Sequence, residues 1–134
     1  QVVSNTVTGR LQTSSSSYVA TQVTASITPS STSSKILVLM QTAFSTEANG
    51  RSITWTIYRD STNLEASSNS GFGQAYTDAG GRIRAGLNLS FLDSPSTTSS
   101  VTYTLYVKSD LSDQVEIPPD PNMQQQTILM EIAG

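Results

Sequence analysis

Apolar and polar residues alternate along most of this chain, and a period of two predicts strands. Val23, Ala25 and Ile27 alternate with Gln22, Thr24 and Ser26. Ile53, Trp55 and Ile57 alternate with Thr54, Thr56 and Tyr58. Leu87, Leu89 and Phe91 alternate with Asn88 and Ser90, and Val101, Tyr103, Leu105 and Val107 with Thr102, Thr104, Tyr106 and Lys108. Two segments depart from this rhythm. Lys35 to Phe44 carries Ile36-Leu37-Val38-Leu39-Met40, apolar on both faces, which predicts a strand covered on two sides. Thr127 to Ala133 forms a last short strand.

The breaks between these runs have turn chemistry. Pro29 and Pro95 each sit in a run of serines and threonines and lack the N–H that a ladder needs. Both runs predict connectors between strands of a sandwich, the hydroxyls bonding their own exposed backbone. Asn49-Gly50 predicts a type I′ hairpin turn. Asp60 to Asn63 predicts another turn, Leu64 to Ala75 is weakly patterned, and Gly71 to Gly86 reads as the most loop-like region. Pro118, Pro119 and Pro121 predict a loop before the last strand. No segment shows a capped helical period. The expected fold is all-β: a jelly-roll β-sandwich of about eight strands, in one domain over residues 1–134. Residues 1–17, β-rich but irregular and broken by Ser14 to Ser17, read as a connector or first strand.

Composition narrows the chemistry. Only 13% of residues are charged, the net charge is −3, and serine and threonine supply about three residues in ten. Hydroxyls on β-branched threonine suit the wet face of a sheet. There is no basic stripe, so nucleic acid is not an expected partner. The longest apolar run, five residues, is too short to cross a membrane as a helix, so no membrane insertion is expected. The chain has no cysteine and no histidine, which excludes disulfides and thiolate metal sites and removes the commonest general base. The expectation is therefore no catalytic residue, no metal and no cofactor. Asp110, Asp113, Glu116 and Asp120 form one acidic cluster, whose spacing is not that of a calcium loop and fits a solvated loop better. Trp55, in phase with Ile53 and Ile57, is expected in the core.

Between Phe72 and Arg84 the residues Phe72, Gln74, Tyr76, Asp78, Arg82 and Arg84 stand among glycines. Aromatic and arginine side chains on loops suit contact with sugars or protein surfaces. The alternative is that Phe72 and Tyr76 belong to the core of an irregular strand, with Arg82 and Arg84 on a solvated edge. Tyr58, Tyr103 and Tyr106 are the large amphipathic side chains expected at a contact between subunits.

The phrases TPSSTSSKILVLM, WTIYRDSTNL, LSFLDSPSTTSSVTYTLYVKS and TILMEIAG, between Val19 and Gly134, resemble the C-terminal domains of tail-fibre and related virion proteins of tailed bacteriophages, especially marine ones. None of these phrases is a catalytic signature. The resemblance implies a trimeric jelly roll of the tumour necrosis factor and complement-head type. It further implies a homotrimer at the tip of a virion fibre, on the particle surface, attached to the rest of the fibre and contacting a host receptor of polysaccharide or protein. A purely structural head or tail fibre domain, or a polysaccharide depolymerase with two facing carboxylates, are the alternatives.

Overall fold

The computed structural model describes residues 1–46, 51–65, 70–77, 81–111 and 113–134. The expected Asn49-Gly50 turn, and with it Glu47, Asp78 and Gly80, lie outside the described residues. Within them the chain forms β1 (Val2–Val7), β2 (Leu11–Thr13), β3 (Val19–Ile27), β4 (Lys35–Thr46), β5 (Arg51–Arg59), β6 (Thr62–Asn63), β7 (Gly73–Thr77), β8 (Arg84–Asp93), β9 (Val101–Ser109), β10 (Val115–Ile117) and β11 (Gln125–Ile132). No helix of the described residues is long and apolar enough to cross a membrane.

The strands make two antiparallel sheets. In the first, β4 pairs with β11 and then β10 on one side and with β8 on the other, while β1 and β2 pair outside β11 and β10. In the second, β3 pairs with β9, β9 with β5, and β5 with both β7 and β6. With the short β2, β6 and β10 set aside, each sheet is four strands wide, in the orders β1-β11-β4-β8 and β3-β9-β5-β7. That is the strand order of a jelly roll, two interleaved Greek keys. The connections β3–β4 and β8–β9, which carry Pro29 and Pro95, each pass from one sheet to the other at the same end of the sandwich. Both ends of the chain lie there too: the amide of Glu131 bonds the carbonyl of Gln1, and Ser33 Oγ donates to the carbonyl of Gly134.

Period-two patterning explains which side chains face inward. Val23, Ala25 and Ile27 of β3, Ile36, Val38, Met40 and Phe44 of β4, Ile53 and Ile57 of β5, and Val101, Leu105 and Val107 of β9 are all buried in one cluster. Leu89 and Phe91 of β8 pack against it partly buried. Trp55 also packs against the core, half-buried, its ring 5.8 Å from that of Phe44. A Cβ on Gly73, its register partner, would sit 2.6 Å from the indole, so the absent side chain is what seats Trp55.

Several expectations change. Residues 1–17, expected as a connector or first strand, hold two strands: β1 lies along β11 over six residue pairs, and β2 along β10 over three. The Gly71–Gly86 region contains β7 and the start of β8, because close approach to Trp55 rather than a turn explains Gly73. Tyr103 is fully buried, so it is not a subunit contact. It has the inward parity of Leu105 and Val107, and its hydroxyl is bonded within the sandwich. Threonine is not confined to wet positions either. Thr54 and Thr56, on the outer side of β5, are fully buried, bonded to Asp110 and Asn63. Finally, the described residues cover β4 fully on its core side, and on its outer side only at the end marked by Ser45. Leu37 and Leu39 point away from the core and are half-buried.

Candidate functional site

The outer face of the second sheet gathers polar and aromatic side chains from four strands. Register places Thr54 opposite Lys108, Thr56 opposite Tyr106, and Tyr58 opposite Thr104. On the far side of β5, Gln74 lies opposite Thr54 and Tyr76 opposite Ser52. On the near side of β9, Thr24 meets Thr104 and Ser26 meets Thr102, each through a 2.8 Å hydroxyl pair.

Asp110, one residue past β9, organises one end of this face. Its Oδ2 accepts from Thr54 Oγ1 at 2.6 Å, Ser52 Oγ at 2.8 Å and Gln74 Nε2 at 2.8 Å, and Lys108 Nζ lies 3.0 Å from Oδ1. Partial burial pushes its pKa up, but the bonds from Thr54, Lys108, Ser52 and Gln74 outweigh this and hold it at about 2. The carboxylate is therefore a fixed negative charge at neutral pH.

Beside it three tyrosines form a platform. The rings of Tyr58 and Tyr106 stack at 4.0 Å and 27°, and Tyr18 meets Tyr58 edge-on at 6.3 Å. Lys108 Nζ sits 5.3 Å from the Tyr18 ring centre, a cation–π contact. The Tyr18 hydroxyl is buried and has no hydrogen-bond partner among the described residues. Burial first, then the charge of Asp110, raise its pKa, so it remains a phenol. A Cβ at Gly71, which has φ +55°, would come within 2.7 Å of this hydroxyl and against the Trp55 carbonyl.

The structure splits the residues expected to touch a receptor. Gln74 and Tyr76 lie on this face, with Tyr76 well exposed. Phe72 turns to Phe91, rings 4.9 Å apart, and packs half-buried against the core. Arg82 is 3.8 Å from Glu116, on the side of the first sheet. Arg84 opens β8 and lines a hollow of about 570 Å³ with Gln41, Ala43, Pro119 and Met123. Asp78 lies outside the described residues. Of the three expected subunit contacts, Tyr58 and Tyr106 come together here and Tyr103 does not.

The acidic cluster is also dispersed. Glu116 is buried, taking hydrogen bonds from Ser45 Oγ at 2.7 Å, Gln12 Nε2 at 2.7 Å and Arg10 at 3.3 Å. Burial pushes its pKa up, and the bonds from Ser45 and Gln12 with the charges of Arg10 and Arg82 bring it below the usual range. Asp120 caps Asn122 locally. Among the described residues no three histidine, cysteine or acidic side chains are placed to hold a metal ion.

Sequence reasoning missed the role of Asp110, Lys108 and Tyr18. Equal parity of Tyr106 and Lys108 was visible along β9, but the pairing of β9 with β5 that joins them to Thr54 and Tyr58 is a long-range fact. The face offers stacked rings, hydroxyls, a carboxamide and one buried-edge ion pair. Side chains of these kinds are chemically suited to hydroxylated or amphipathic ligands, and the face holds no imidazole or thiol to act as nucleophile or base.

No protein-family model matches this chain, and no curated protein does either. Among solved structures it is similar in fold to the VP2 subviral particle of infectious bursal disease virus, with 14% identity and a TM-score of 0.51 over 100% of this chain. The Gx strain of the same virus gives 13% and 0.50 over 98% of this chain, and its T13 viral particle 11% and 0.50 over 99%. This chain spans about a third of the length of those proteins, 33%, 36% and 36% respectively. At these identities the likeness is one of fold: the chain is a jelly-roll sandwich of the kind found in those virus-particle proteins.

Proposed function

We propose that this domain is a virion surface module that assembles as a homotrimer and attaches to a host-surface polysaccharide or protein through the outer face of the second sheet. The observation that carries the reading is the stacked Tyr58–Tyr106 pair beside the Asp110–Lys108–Gln74 network. Rings that stack while hydroxyls and an amide stand next to them suit a sugar ring, whose C–H face is apolar and whose edge is polar. The jelly roll and the resemblance to phage fibre phrases support a place on a particle. No catalytic role enters this reading, since the buried carboxylates Asp93 and Glu116 are already bonded by Arg59 and Tyr103, and by Arg10, Gln12 and Ser45.

The test is adsorption of the isolated chain to bacterial cells and purified surface polysaccharides, with Tyr106→Ala and Tyr58→Ala alongside. Both variants are expected to fold and to lose binding. Wild-type binding that survives both changes would discard this face; a wild-type chain that binds no cell or polysaccharide would discard attachment. A structural virion domain without receptor binding is the second reading, favoured by the apolar face on the other sheet.

A further inference from the structure

The outer face of the first sheet carries one apolar rung across all four strands. Val2 of β1 is paired with Met130 of β11, Met130 with Leu37 of β4, and Leu37 with Leu92 of β8. Val2 is 63% exposed, Leu92 46% and Met130 37%, and Ile132, one step further along β11, is 44% exposed. The next rung is Ser4, Ile128, Leu39 and Ser90, and the one after it Thr6, Gln126, Gln41 and Asn88. Leu39 and Ile128 line a shallow hollow of about 350 Å³ beside the first rung. A band of this kind, near the pole that holds both chain ends and next to rungs carrying serine, threonine and amide side chains, marks a contact surface.

We infer that this face is where copies of the chain meet. The inference deepens the assembly half of the reading above and rests on it. Two observations favour a second copy as the occupant. The first is size. Strands of six, eight, twelve and ten residues, about 4.8 Å apart and about 3.4 Å per residue, present roughly 590 Å² before side-chain relief, nearly three quarters of the ~800 Å² per partner of a standard stable interface. The second is charge. The residues facing outward between Lys35 and Arg84, which stand at opposite ends, are all neutral. A partner of opposite charge is not called for, and an identical neutral face meets this one with no like charges opposed at its centre.

The experiment is sedimentation equilibrium of the whole chain, with Leu37→Asp and Met130→Asp, each checked for folding by circular dichroism and thermal melting. The wild type is expected to self-associate, and both folded variants to associate at least about tenfold more weakly. As the chain has no cysteine, Met130→Cys supplies a second measurement that needs no destabilising charge: oxidation should join two copies. An oligomer whose mass is unchanged in both Asp variants, with Met130→Cys uncrosslinked, overturns this surface and leaves the trimer reading standing. A dimer dissolved by the variants upholds the surface and overturns the trimer. A wild type that stays monomeric at the concentrations of the crosslinking experiment overturns both, and gives the face to another part of a longer chain or to a different protein.

Discussion

Tyr103 donates a 2.7 Å hydrogen bond to Asp93 Oδ2, joining the second sheet to the first across the sandwich. Arg59, the register partner of Tyr103, reaches the same oxygen at 2.7 Å. Burial, then the bond to Asp93, raise the phenol's pKa far above its ordinary value, so it stays a donor. Tyr103→Phe keeps the ring and deletes the bond to a charged acceptor. It should cost about 1.5–3 kcal/mol in urea unfolding. Wild-type stability in that variant would mean that Arg59 alone satisfies Asp93.

Trp55 and Gly73 predict a second effect. A side chain at Gly73 would collide with the rigid indole, at 2.6–2.7 Å from three of its atoms. Gly73→Val should therefore displace Trp55 from Phe44, costing about 1–3 kcal/mol as an overpacked site, with a red shift of tryptophan fluorescence. As the chain has a single tryptophan, the signal belongs to Trp55 alone. An unshifted spectrum at unchanged stability would refute the seating role of the glycine.

Asp110 predicts a pH dependence. Its folded-state pKa of about 2 lies below the unfolded value of about 4. A depressed carboxylate stabilises the fold above the unfolded pKa, and that contribution is lost as pH falls through the folded one. The difference in melting temperature between wild type and Asp110→Asn should thus be steady from pH 7 to about 4 and shrink between about 4 and 2. Glu131, also held at about 2 by bonds from Ser30, titrates in the same window. Being common to both proteins, it cancels in the difference. A gap that does not narrow there would show that the bonds to Asp110 do not favour its charged form.

Glu116 serves a different part of the fold. Its carboxylate accepts bonds from β2, β4 and Arg10 at once. Glu116→Ala strands the buried Ser45 Oγ and removes the acceptor of the exposed Gln12 and the part-exposed Arg10, and should cost about 1–3 kcal/mol by chemical denaturation. A loss below that range would mean that water enters and replaces the carboxylate.

The strands and the sandwich were legible because their signal is local. In β9 the order Val101, Tyr103, Leu105, Val107 gives the buried side outright, and it should have removed Tyr103 from the surface residues. β7 was hidden because Phe72 and Gly73 read as loop chemistry, and only the position of Trp55 explains the glycine. The double-sided apolar run of β4 did signal cover on both faces. The described residues cover the core side, while Leu37 and Leu39 on the outer side stay half-buried. The Asp110 network joins positions 52, 54, 74, 108 and 110, and a chain of alternating hydroxyls offers many equivalent ways to pair. Register, which decides among them, depends on contacts between distant segments.

The two chain ends leave from neighbouring antiparallel strands, β1 and β11, at one pole of the sandwich. Tension applied between residues 1 and 134 would open that ladder pair by pair, like a zipper. Load entering at this pole and leaving through the opposite one runs along the strands and strains many bonds together.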